Sequence, residues 1–160
     1  MLFGETPEVS ILINNMAWTL RHLPAAATFG LGRYRLQPIH VQDFAELALR
    51  EAESGEQHRI VNATGPETYT FRELWRMLAQ GMGLRRPVLP VPAWFGLLAA
   101  RVPGSIVGDV MLTRDEIAGL SQDRLAVDCP PAGRRSLRDW VACHADSLGK
   151  TYANELSRRR

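Results

Sequence analysis

The residues most able to do chemistry lie in "PIHVQDFAELAL", residues 38–49, where His40 and Asp43 stand three apart at the end of an apolar run. Histidine and aspartate at this spacing form a proton-transfer pair only if a third group orients them. Taken alone, Asp43 is a helix cap and His40 a turn residue. His22, His58 and His144 are isolated from any partner that would make them acids or bases. Three tyrosines could start a Tyr-x-x-x-Lys pair, but Tyr34, Tyr69 and Tyr152 are followed at that spacing by Pro38, Glu73 and Leu156. Gly30-Leu31-Gly32 opens like a phosphate-binding GxGxxG turn, yet Arg35 stands where the third glycine belongs. Gly81-Met82-Gly83 fails in the same way. No HExxH, GxSxG or P-loop lysine is present. Cys129 and Cys143 have no metal-ligand spacing, so no metal site and no catalytic residue is assigned.

The elements that must position these residues follow from periodicity. Thr6-Pro7-Glu8 reads as a cap, a first-turn proline and a first-turn acid. The helix it opens carries Val9, Leu12, Ile13, Met16, Leu20 and Leu23 on one face, and Pro24 ends it. Residues 34–41 read as one short strand made irregular by Pro38. Asp43 caps a helix over 44–52. "HRIVNATG", residues 58–65, is the best strand in the sequence, with its core at Arg59–Ala63. Thr70-Phe71-Arg72-Glu73 is a capping box for a helix closed near Gly81 and Gly83. Residues 86–92 read as extended and 93–102 as an apolar helix. Thr113-Arg114-Asp115-Glu116 is a second capping box, and Ser136 caps a last helix running past Leu148. Strands and helices alternate first and helices dominate later, which makes this an α/β chain with a mostly helical lobe.

Composition sets the outer limits. The 160 residues suffice for one domain, 1–160, with a real core. The charged fraction is 22% and the net charge +2, which does not call for nucleic acid. The arginines are scattered without interleaved aromatics, so no nucleic-acid partner is expected. All basic residues except Lys150 are arginine, a bias that codon composition explains. No secretory segment follows Met1, and a cytoplasmic location is expected. The apolar stretch from Val88 to Gly108 is broken by prolines and an arginine, so it is a poor membrane span; contact with a membrane surface is a minor alternative.

Two blocks carry a resemblance. Pro38-Ile39-His40-Val41-Gln42-Asp43-Phe44-Ala45, and then "IVNATGPETYTFRELWRMLAQGMG", resemble successive segments of the NAD(P)-dependent epimerase/dehydratase group of extended and atypical short-chain dehydrogenases. "MLFGE" looks like the end of the strand that leaves that group's Rossmann sheet toward the substrate. The later segments "LTRDEIAGLSQDRLAV" and "SLRDWVACHADSLGKTYANELSRR" are similar to the branch containing the Rossmann-type accessory subunit of respiratory complex I.

The resemblance implies the last strands of an incomplete Rossmann-type sheet with a substrate-side lobe. It also implies a C-terminal portion whose nucleotide-binding part is absent, by truncation or a misplaced start. NAD or NADP is implied for the whole family protein. None is expected to bind this chain alone, which lacks the glycine-rich turn and the Tyr-x-x-x-Lys pair. Phe3, Gly4 and His40 are the positions it places toward substrate. Family members that bind nucleotide sugars carry Arg-Asp where this chain has Leu36-Gln37, and Arg33 or Arg35 would have to replace that arginine. Such a portion is expected to be inactive alone and to hide its open edges in a homo-oligomer, or against its missing half or a partner protein. A non-catalytic interaction module like the complex I subunit is the alternative.

Overall fold

The computed structural model describes residues 1–4, 10–55, 58–91 and 125–153. The expected helix start at Thr6–Glu8, the apolar helix at 93–102 and the second capping box at 113–116 lie outside these residues, as do most of the apolar stretch from Val88 to Gly108 and the end of the tail. The described chain is α/β. Its order is β1 (Leu2–Phe3), α1 (Ile11–His22), β2 (Ala26–Phe29), β3 (Arg35–Leu36), β4 (Ile39–His40), α2 (Val41–Glu53), β5 (Tyr69–Thr70), α3 (Phe71–Gly81), β6 (Val88–Val91) and α4 (Leu137–Cys143).

The strands form three separate ladders among the described residues. β1 and β4 pair in parallel, Leu2 opposite Ile39 and Phe3 opposite His40. β2 and β6 are parallel, and β3 and β5 antiparallel. The single strand expected at 34–41 is therefore two. Pro38 has no N–H to continue a ladder, and the chain changes partners across Gln37-Pro38.

Arg59–Ala63 is not a strand, and Ile60 is 96% exposed. An apolar run becomes a strand only where a neighbour offers its backbone groups, and no described strand lies beside this one. The converse holds for β2, whose Ala26-Ala27 has weak strand preference but gains four partners in register with Val88–Val91. α2 begins at Val41, earlier than expected, because His40 and not Asp43 occupies the N-cap. α4 stops at Cys143 rather than continuing past Leu148.

α3 is the centre of the core. Thr70 Oγ1 accepts from Glu73 N while the Glu73 carboxylate accepts from Thr70 N at 2.8 Å, so the capping box is complete. Leu74, Met77 and Leu78 are buried with Ile13, Met16 and Leu20 of α1 and with Leu137 and Val141 of α4. Each such side chain contributes about 1.5–3 kcal/mol on burial. α1 also holds the segment after α4. Asn14 Nδ2 donates to Thr151 O at 2.8 Å, and Gly149 N donates to Asn14 Oδ1 at 3.0 Å. Asn15 exchanges two hydrogen bonds with the Ala153 backbone, both 2.9 Å. Arg21 donates to Leu148 O and Ala145 O. These bonds turn the chain back along α1, which is why the last helix is short.

Candidate functional site

The parallel β1–β4 pair brings the ends of two strands together, and with them Phe3, Gly4 and His40. Phe3 is fully buried. Its ring meets His40 edge-on at 5.0 Å and Trp140 at 5.6 Å. Gly4 N donates to Ser10 Oγ at 2.8 Å, which ties the exit of β1 to the start of α1. His40 is buried, and its Nδ1 accepts the Gln42 N–H at 3.2 Å. A ring nitrogen that accepts carries no proton, so the neutral ring bears its hydrogen on Nε2.

Asp43 sits in the first turn of α2 and is nearly fully buried. It reaches across to the loop before α4. One carboxylate oxygen accepts from Arg134 N at 2.7 Å and Arg135 N at 2.8 Å, and the other accepts from the Arg135 guanidinium. The same guanidinium reaches Glu46 at 3.1 Å. Burial alone would raise the Asp43 carboxyl; the Arg135 and Arg134 amides and the Arg135 charge outweigh it and hold the carboxyl below its ordinary value of 3.8.

A second polar joint lies behind β4. The buried Gln37 side chain donates to Gly65 O at 3.3 Å and accepts from Val127 N at 3.2 Å, while its own N–H bonds Leu125 O at 3.0 Å. Thr64 O accepts from both Ala132 N and Gly133 N at 2.9 Å. Glu67 accepts from Leu137 N at 2.7 Å and from Ser136 Oγ at 3.1 Å, so it caps α4. Gln37, Asp43 and Glu67 together fasten residues 125–138 against β4 and α2.

Phe3, Gly4 and His40 thus share one buried cluster, while Arg33 and Arg35 lie elsewhere. Arg33 is exposed in the loop after Gly32. Arg35 is on β3 and pairs with Asp128 at 3.2 Å in an exposed contact. Gln37 stands where an aspartate would be expected from the resemblance, and its amide is spent on backbone groups. The sequence marked Asp43 as a cap; its reach of some ninety residues to Arg134 and Arg135 has no local signal. No group of three or more His, Cys, Asp or Glu able to hold a metal occurs among the described residues. No described helix is long and apolar enough to cross a membrane. The chain matches no protein-family model and no curated protein.

Proposed function

We propose that this chain is the substrate-side portion of an NAD(P)-dependent epimerase/dehydratase-like protein, acting on a nucleotide sugar or related substrate. The observation that carries this reading is the joining of two sequence blocks in space. The strand end resembling the family's exit strand lies in parallel register with the Pro-Ile-His-Val strand, so Phe3 packs on His40. In this reading the three two-stranded ladders are the last strands of a larger Rossmann-type sheet, and the Phe3–Gly4–His40 end forms one wall of the substrate site. The chain supplies shape and polarity there, and proton transfer and hydride chemistry belong to groups it lacks.

A dinucleotide site draws on a pyrophosphate turn, a ribose-binding acid and an adenine pocket. Charge-assisted phosphate contacts are worth roughly 1.5–3 kcal/mol each, and losing two or three moves a micromolar affinity to about millimolar or weaker. NAD or NADP at about 10 μM should therefore leave the melting temperature of this chain unchanged. Saturable binding in that range would defeat the proposal.

The second reading, a non-catalytic interaction module, draws on α2. Asp43 and Leu47 are its only buried residues. Phe44 is 41% and Leu49 64% exposed, and with Ala45, Ala48 and Ala52 they make an uncovered apolar face. Both readings need that face covered, and we propose a homodimer as the form in solution. Light scattering should give twice the 17.9 kDa chain mass, and dilution of the dimer should raise binding of a hydrophobic dye. A monomer that binds no dye at any concentration would exclude it.

A further inference from the structure

Two adjacent asparagines on α1 hold the chain that follows α4 by its backbone. Gly149 N donates to Asn14 Oδ1 at 3.0 Å, and Asn14 Nδ2 donates to Thr151 O at 2.8 Å. Ala153 N donates to Asn15 Oδ1, and Asn15 Nδ2 donates to Ala153 O, each at 2.9 Å. Further along α1, Arg21 Nε donates to Leu148 O at 2.8 Å. Residues 149–153 have no helix or strand of their own, so these side chains pair backbone groups that a ladder would otherwise pair. A carboxamide carries donors and an acceptor, and a peptide backbone carries the complementary groups. The asparagines therefore recognise main chain, whatever side chains it bears.

Other contacts set which segments fit. Gly149 is buried with φ +71°, and a Cβ there would lie 2.4 Å from both Ala17 C and Trp18 N. Glycine is the residue that tolerates both that backbone angle and that approach to a helix backbone. Three residues on, the Tyr152 ring meets Trp18 edge-on at 5.3 Å. Lys150 and Thr151, between them, are exposed. Leu148, just before the glycine, is buried in the core. The α1 surface thus reads a Leu-Gly-x-x-Tyr segment by its backbone, its glycine and its two apolar anchors. Asn14 is 2% exposed, so an empty surface would leave a buried amide unpaired. The surface requires an occupant, and every copy of this chain carries one that fits.

We propose that this face of α1 is a docking surface that takes residues 148–153 of a second copy in place of the chain's own, joining two copies by exchange of tails. The exchange remakes the same bonds, so it costs little beyond association itself. It depends neither on the family reading nor on the apolar face of α2. The test uses the full chain carrying Gly149→Val, isotopically labelled, whose own segment cannot dock. The Asn15 side-chain amide is the NMR reporter. Unlabelled Asn15→Ala chain keeps Gly149 but holds its own segment weakly, and adding it should shift the reporter saturably. Adding unlabelled Gly149→Val chain should not. A dimer made through α2 alone would leave the reporter still in both cases. A reporter unmoved by Asn15→Ala, or moved equally by Gly149→Val, would overturn the proposal. If Gly149→Val fails to fold, the labelled wild-type chain titrated with a peptide of residues 145–153 decides. Peptide in the millimolar range, the effective concentration of a tethered segment, should displace the Ala153 amide. The same peptide carrying Gly149→Val should compete at least roughly tenfold less well. No displacement up to about 10 mM, a limit that admits even weak docking, would overturn the proposal.

Discussion

Replacing Gly65 by alanine is expected to be among the most damaging single changes in this protein. A Cβ at this position would lie 1.7 Å from Pro38 O and 2.8 Å from Pro38 C. The obstructing atoms are backbone, so no rotamer change can make room. Either the 64–66 turn or the residues entering β4 must move. Gly65 O also accepts the buried Gln37 amide, and neighbouring Thr64 O holds Ala132 and Gly133. Displacement would break that joint and leave buried polar groups unpaired. The expected cost is about 3 kcal/mol or more, which lowers Tm by roughly 6–12 °C in a domain of this size. Chemical denaturation checks it: a Gly65→Ala midpoint close to wild type would mean that the turn can shift freely.

Asp43→Asn is the second large effect. An amide in place of the carboxylate keeps one acceptor and introduces an N–H₂ group facing Arg134 N, Arg135 N or the Arg135 guanidinium, all donors. Hydrogen bonds to a charged partner are worth about 1.5–3 kcal/mol and do not add fully, so the variant should lose roughly 2–4 kcal/mol near neutral pH.

The pH dependence has a definite sign. The folded Asp43 carboxyl is held below its ordinary value of 3.8. Its contribution is therefore complete above about that value and is lost as pH falls through the lower folded value. The wild type should outlast Asp43→Asn in urea at pH 7, and the gap should narrow as the pH is taken below 4. A gap that stays constant to pH 2 would show that Asp43 contributes by shape and not by charge.

Several features follow from local sequence alone. The Thr70–Glu73 box and the apolar positions Leu74, Met77 and Leu78 are three to four residues apart, and a helix with one buried face results wherever such a segment finds a core. α1 is equally legible in Ile13, Met16 and Leu20. Pro38 marks a break in pairing because it lacks a donor, whatever lies around it. Ser136 is read correctly as a cap, with Oγ accepting from Asp139 N at 3.2 Å.

Tertiary structure decided what depends on distant neighbours. β2 is a strand because Val88–Val91 lies beside it, and Arg59–Ala63 is not one although its residues favour strands more than Ala26-Ala27 does. The cap of α2 passed to His40 while Asp43 turned to Arg134 and Arg135, a choice made by a loop that no window around residue 43 contains. The pairing of Phe3 with His40, and the hydrogen bond from Arg72 N to Gly32 O, likewise join residues more than thirty apart. Periodicity and capping act over one or two turns of chain, so they are written in the sequence. Ladder pairing, buried ion pairs and ring contacts draw their energy from groups brought together only when the whole chain closes.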